Sequence, residues 1–344
     1  MSKKIIFSVL VFGVLVVLGL VVFVKQHQKT HTPEWRCLGD NEEAGFYDRL
    51  AQFKIAEGIP EKYPLEIFIR DKTTKAELSK FRVEDIKESY HPVEVRICGV
   101  YVLRQFNYDS KKSEKNIGYR NEFWRYDYLG VGEKLVLLSE KPDEYVSYYN
   151  SDFRVDPLER YVVLEKGYLG EKDYALIIKD MGTKEDVYTL SYQKLFQEHP
   201  EITGGFNMRD WSADGRYFWG DIFYGADVSA YFRIDTQNWT YELFDAPEGQ
   251  MGGEQLNTEN GWVTHHTDLV WTGFADMQED IKTEHRQQGI GTKFYLYNLL
   301  TGEKVLVYET DEPMWFTKPK WLSATEVEYE LPSGEKKIYK LDQG

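Results

Sequence analysis

The sequence predicts an all-β, propeller-like protein of about five four-stranded blades, behind one N-terminal transmembrane helix and a small mixed α/β region. Three observations carry this expectation. A run of alternating aromatic and aliphatic residues ending in Asp or Asn recurs five times. Turn-forming pairs such as Asp214-Gly215 and Thr301-Gly302 punctuate the β-rich stretches. An uncharged run, Ile5 to Val24, opens the 344-residue chain.

That run follows a short tail, residues 1–4. A helix of this length spans about 30 Å, the thickness of a bilayer core. A cleavable signal has an apolar region of about 7–15 residues and small residues at its cleavage site. Here the run is longer, and Lys25, Gln26 and His27 follow it. An uncleaved anchor at residues 5–24 is the expectation. Lys3 and Lys4 precede it and Lys25, Lys29 and Arg36 follow, so flanking charge does not set the orientation. The short tail and the large domain behind it favour a single-pass membrane protein with its main domain extracytoplasmic.

A polar stem, residues 25–41, comes next. Residues 42–92 read as mixed. Apolar spacing is helical over 44–57 and over 74–89, where Leu78, Phe81 and Ile86 recur, and Leu65–Arg70 alternates as a strand.

Residues 93–344 read almost wholly β. The recurring phrase is Phe123–Asp127, Ala175–Asp180, Ala230–Asp235, Phe294–Asn298 and Lys337–Asp342, with ends about 53, 55, 63 and 44 residues apart. Such periods mark stacked or radial β units. Before the phrase comes another β run with a tight turn. Its clearest copy is Trp211 to Trp219, where Gly215 supplies a backbone free to take positive φ. Phe153–Leu164 reads as a second copy with a turn two residues longer, and Trp321–Glu330 as a degenerate one. Each unit then has about four short antiparallel strands, the make-up of a propeller blade. The last unit stops after its third strand. An open edge invites aggregation, so Leu65–Arg70 or Val93–Cys98 is expected to complete that blade. The alternative is a frayed edge covered by a helix at 74–89.

Trp211, Asp214, Gly215 and Arg216 carry a resemblance. The segment is similar to the S-P-D-G-R turn of WD40-like, TolB-like β-propeller repeats, which also occur in the non-catalytic propeller domain of dipeptidyl-peptidase-IV-like proteins. The resemblance implies that Trp211 packs between blades and that the Asp214-Gly215 turn joins the inner strands. Ala213 stands where the family has Pro. The resemblance covers about residues 93–341 and implies a fold far more than a function, since propellers host many roles.

Two segments interrupt the period. Ser191–His199 is a short helix candidate, with Tyr192, Leu195 and Phe196 on one face. Ala275–Gln288 is a longer, charged one and accounts for the widest spacing.

The formal charge of −15 disfavours nucleic acid and predicts a domain that projects away from anionic lipid. No nucleophile elbow, phosphate-binding loop, H-E-x-x-H, C-x-x-C or EF-hand loop is present. No metal site or cofactor is expected. Two aromatic–acidic groups remain as binding candidates: Trp219, Asp221 and Tyr224, and His266, Asp268 and Trp271. Adjacent His265 and His266 on a strand point to opposite faces, which argues against chelation of one metal; His266 and Asp268 would share a face. Asn238-Trp239-Thr240 is a formal glycosylation sequon. The two cysteines, Cys37 and Cys98, can pair if the domain is exported, a bridge worth about 4 kcal/mol for such a loop; two free thiols are the alternative. The functional expectation is a membrane-anchored binding protein for a protein, peptide or glycan. A carbohydrate-active hydrolase with carboxylates at the blade tips and an accessory subunit of an envelope complex are the alternatives.

Overall fold

The computed structural model describes residues 36–47, 65–83, 93–108, 118–137, 149–166, 172, 174–202, 204–224, 227–250, 254–270 and 275–341. The anchor candidate at 5–24, most of the stem, Trp271 and Asp342 lie outside these residues. No described helix is long and apolar enough to cross a membrane.

Six small antiparallel sheets follow one another along the chain. The first holds β1 (Glu42–Tyr47), β2 (Leu65–Asp71) and β3 (Glu77–Val83). The second holds β4 (Val93–Val95), β5 (Val100–Tyr108), β6 (Gly118–Tyr126) and β7 (Gly132–Leu137). The third holds β8 (Tyr149–Val155), β9 (Tyr161–Lys166), β10 (Ala175–Asp180) and β11 (Asp186–Ser191), after which comes α1 (Tyr192–Glu198). The fourth holds β12 (Gly205–Trp211), β13 (Tyr217–Tyr224), β14 (Asp227–Asp235) and β15 (Thr240–Asp245). The fifth holds β16 (Leu256–Asn257), β17 (Trp262–His266), β18 (Thr292–Asn298) and β19 (Lys304–Thr310), with α2 (Ala275–Gln288) inserted between β17 and β18. The sixth holds β20 (Lys320–Trp321), β21 (Glu326–Glu330) and β22 (Lys336–Lys340).

Strand alternation splits each core strand between two neighbours. In β9, Val162 and Leu164 pack with Tyr101, Phe123 and Phe153, towards the second sheet. Val163 points the other way, into Phe206, Phe218 and Phe232 of the fourth. Both faces of a middle strand are therefore buried, which explains its unbroken apolar run. The same rule joins Ile67 and Ile69 to Val100 and Val102, Trp219 and Tyr231 to Val263, and Phe294 and Leu296 to Val327. Full burial of each such side chain contributes about 1.5–3 kcal/mol. Consecutive meanders packed face to face are a propeller-like arrangement.

The recurring Asp has a local job. Asp180 Oδ1 accepts from the N–H groups of Gly182 and Thr183, both at 2.8 Å. Asn298 Oδ1 accepts from Leu300 and Thr301, and Asp127 Oδ1 from Leu129 and Val131. Each begins the turn between the third and fourth strands of its sheet, a side chain mimicking a backbone turn. Asp71 does the same for Thr73 and Thr74. It is a copy beyond the five that spacing exposes, and it identifies β1–β3 as the second to fourth strands of a unit.

Four expectations need correction. Among the described residues, 93–341 hold five sheets, and residues 42–83, expected as a mixed α/β region, hold a sixth. The stretch 44–57 is strand in its described part, and 74–83 is a turn followed by β3, because β2 offers a hydrogen-bonding edge on both sides and outweighs the helical spacing. Neither Leu65–Arg70 nor Val93–Cys98 completes the last sheet: β2 is sandwiched between β1 and β3, and β4 pairs β5. The last described sheet does have three strands. Finally, the turn after β8 is no longer than the one after β12. Asp156 N–H bonds Tyr161 O, as Ser212 N–H bonds Tyr217 O, and Val155, not Phe153, occupies the position of Trp211. The two helix candidates at 191–199 and 275–288 form as read.

Candidate functional site

The turns at one end of the sheets grip one another in sequence. Cys98 N–H and the Tyr101 hydroxyl donate to Glu159, at 2.6 and 2.5 Å. Arg160 Nη2 donates to Gly215 O at 3.0 Å. Glu259 accepts from Ala213 N–H at 2.6 Å. Asn257 and Asn260 donate to Ala324 O at 3.1 and 2.6 Å. These links run from the second sheet to the sixth. A bridge between Cys37 and Cys98 ties the start of the described chain to the first of them, and Leu38 N–H bonds Ile97 O beside it.

The turn residues do what their type suggests. Trp211 is buried between the third and fourth sheets, against Tyr161 and Phe218, with Nε1 donating to Arg154 O. Asp214 accepts from the Ser212 hydroxyl and from Arg216 N–H, which lower its pKa. Arg216 pairs with Asp235 at 2.9 Å. Gly215 has φ of +66°.

The opposite end holds the candidate site. There β17 ends at His265 and His266, both buried, on opposite faces as expected. His266 Nδ1 meets Glu254 Oε1 at 2.6 Å, and its backbone N–H donates to the same oxygen. Thr317 N–H donates to His266 Nε2 at 3.2 Å. A backbone N–H can only donate, so Nε2 is an acceptor and the proton sits on Nδ1. The other Glu254 oxygen accepts from the Thr264 hydroxyl at 2.6 Å. His266 thereby clasps the connection entering the fifth sheet to the one entering the sixth.

His265 Nδ1 meets Gln250 Oε1 at 2.9 Å, and Gln250 Nε2 donates to the Tyr231 hydroxyl and to Thr264 O. Burial pushes the His265 imidazole down to about 4. Tyr231 lies opposite Asp221 in the β13–β14 register. Asp221 pairs with Arg209 and accepts from Asn207 Nδ2 at 3.1 Å. Burial raises its pKa, and Arg209 opposes that rise. Gln250 thus links Tyr231 of the fourth sheet to Thr264 and His265 of the fifth, and Tyr231 is the cross-strand neighbour of Asp221.

The sequence candidates among the described residues fall as follows. Trp219 is buried, with Nε1 donating to Thr258 O at 3.0 Å. Asp221 has no exposed surface, and neither has the side chain of His266. The backbone of Tyr224 pairs with Asp227 at the end of β13. Asp268 is exposed at φ of +62°, past the end of β17, so it does not share a strand face with His266. The sequence reading missed Glu254, Gln250 and Thr317, which sit in irregular connections where no period marks them. Asn207 and Arg209 were findable, two residues apart on the strand that faces Asp221.

A second polar seam joins the first strands of the earlier sheets. Glu94 accepts from Val155 N–H at 2.8 Å and from Arg96 at 3.0 Å, and burial pushes its carboxyl up to about 7. Arg154 Nε donates to Arg209 O at 2.9 Å. Among the described residues no group of three or more His, Cys, Asp or Glu could hold a metal ion.

No protein-family model matches the sequence, and no curated protein matches it. Solved structures do. The chain is similar to TolB from Acinetobacter baumannii, at 13% identity and a TM-score of 0.40, over 80% of this chain and 57% of that one. It is similar to the tricorn protease, at 13% identity and a TM-score of 0.45, over 88% of this chain and 28% of that one. It is also similar to the β-propeller domain of the Trilobed protease from Pyrococcus furiosus, at 10% identity and a TM-score of 0.43, over 89% and 79%. The chain therefore spans little more than half of the first of these proteins and under a third of the second.

Proposed function

We propose that this chain is a membrane-tethered binding protein whose propeller-like domain works outside the cytoplasm. One observation carries the reading: Cys37 and Cys98 pair. Disulfides persist in oxidising compartments and are rare in the cytosol. The bridge lies just downstream of the uncharged run at 5–24, so anchor and compartment agree. A binding role is supported by the saturation of the candidate groups. Asp221 is held by Arg209 and Asn207 of the adjacent strand, and His266 clasps two connections through Glu254 and Thr317, so both side chains are taken up by structural contacts. The ligand is a protein, peptide or glycan met by those connections at the loop end, and the acidic charge disfavours nucleic acid. A glycan hydrolase would need carboxylates other than Asp221, which has no surface to offer a substrate.

The test is made in cells. The full chain should sediment with membranes, resist alkaline carbonate, and show Cys37 and Cys98 oxidised when thiols are trapped with an alkylating reagent before lysis. Crosslinking in the same membranes identifies the partner. Recovery of both cysteines as free thiols would defeat the extracytoplasmic reading, and release by carbonate would defeat the anchor.

A further inference from the structure

The turn end of the second and third sheets exposes an unusual group of side chains. Ile97 is 62% exposed, Leu129 65%, Val131 47% and Leu158 56%. They lie in three neighbouring turns that touch. The Tyr128 hydroxyl, next to Leu129, donates to Arg96 O, next to Ile97. Glu159, next to Leu158, accepts from Cys98 N–H. The acids built into these turns are withdrawn from the surface: Asp127 and Asp156 are buried, and Glu159 serves Cys98 and Tyr101. Asp40 and Glu185 stay exposed nearby. Clustered exposed aliphatic residues on a domain with a formal charge of −15 mark an interaction surface.

The chain also says what covers it. Cys37 is bonded to Cys98, beside Ile97, so the described chain begins on this face. Residues 25–36 alone separate the bridge from the end of the apolar run. Fully extended, they reach about 40 Å. The staple makes this end the part of the domain held nearest the bilayer. A short tether also raises the effective concentration of a surface patch to about the millimolar range, so a few aliphatic side chains suffice.

We infer that the turn face bearing Ile97, Leu129, Val131 and Leu158 rests on the bilayer surface, with these side chains in the headgroup–acyl boundary. The inference rests on the membrane tether proposed above. It departs from the charge-based expectation of a domain projecting away from lipid, because net charge describes the whole surface and the acids of these three turns are tucked in. It also turns the opposite end, with His266 and α2, towards the aqueous phase where a ligand would arrive.

The experiment uses the full chain in phosphatidylcholine vesicles. A single new thiol is placed at Leu158→Cys or, at the opposite end, at Met277→Cys, which is exposed on α2. Both are labelled with an environment-sensitive fluorophore without reductant, so the native bridge stays closed. With spin-labelled phosphatidylcholine, the label at 158, seated in the headgroup–acyl boundary, should lose emission, and the label at 277 should keep it. Ile97→Asp should restore the emission at 158. Flotation is read separately. A chain that does not float with vesicles defeats the tether and the inference together. A chain that floats while the label at 158 stays bright, or while both labels dim equally, overturns the docking face alone. Unchanged quenching in Ile97→Asp overturns the apolar basis of the contact.

Discussion

Gly215→Ala tests the turn-to-turn links that hold successive sheets in register. Gly215 has φ of +66°, and a Cβ there would sit 2.6 Å from Arg160 Nη2 and 2.9 Å from Asp156 Oδ2. Two costs follow. A left-handed conformation costs an alanine about 1–2 kcal/mol. The new methyl group also drives Arg160 away from Gly215 O, a charge-assisted bond. Because the Arg160 side chain is 43% exposed, solvent screening cuts that loss to about 1 kcal/mol, below the usual charge-assisted range. The sum is about 2–3 kcal/mol, or about 4–10 °C in Tm for a domain of this size. Gly249 is the internal control. It has φ of +74° and nothing within 4 Å of its hypothetical Cβ, so Gly249→Ala reads the backbone cost alone. The assay is urea unfolding followed by tryptophan fluorescence, with Arg160→Ala and the double variant completing a cycle. Gly215→Ala should cost more than Gly249→Ala, and the cycle should show a coupling of about 1 kcal/mol. Equal costs at the two glycines, or strict additivity with Arg160→Ala, would refute the reasoning.

Three further outcomes are expected. Glu159 occupies the position of Gly215 in the preceding turn at φ of +55°, with its carboxylate holding Cys98 and Tyr101. Glu159→Ala should therefore be less stable than Glu159→Gly by about 1 kcal/mol, since both lose the bonds but glycine sheds the strain; the reverse order would show the strain to be absent. Stability should depend on pH through two groups of opposite sign. His265 is pushed down to about 4, so between about pH 6.5 and 4 the unfolded chain binds the extra proton and acid destabilises the fold. Glu94 is pushed up to about 7, so between about pH 4.5 and 7 the folded chain binds the extra proton and rising pH destabilises it. Denaturation at several pH values should show His265→Asn gaining stability towards acid relative to the native chain, and Glu94→Gln losing it; slopes unchanged by either substitution would remove these assignments. Replacing Cys37 and Cys98 together by Ser should cost about 4 kcal/mol, given a sequence separation of 61; an unfolding midpoint that does not move would mean the bridge constrains nothing.

Much of the fold was written in period and turn chemistry. Asp180, Asp235 and Asn298 end a third strand in sequence and start a side-chain-capped turn in the structure, because one carboxylate or amide oxygen reaches N–H groups two or three residues on. Asp71 obeys the same rule but was masked by the helical spacing of Leu78 and Phe81 on an edge strand. The buried polar contacts were half legible. Asp221, Trp219 and His266 stood out by residue type. Glu254, Gln250 and Thr317 did not, since they come from connections whose course no local rule dictates.

By itself the sequence determined the strand periods, the Asx and Gly turns, the helix over 275–288 and the presence of two cysteines that an oxidising compartment would join. Those are consequences of neighbours a few residues apart along one chain. The tertiary structure decided that the described residues 42–83 form a further sheet, that the turns of the second to sixth sheets grip one another, and that Asp221 and His266 are taken up in buried polar contacts. Those depend on which strand edge and which distant backbone group come within hydrogen-bond reach, a choice made by packing over the whole chain.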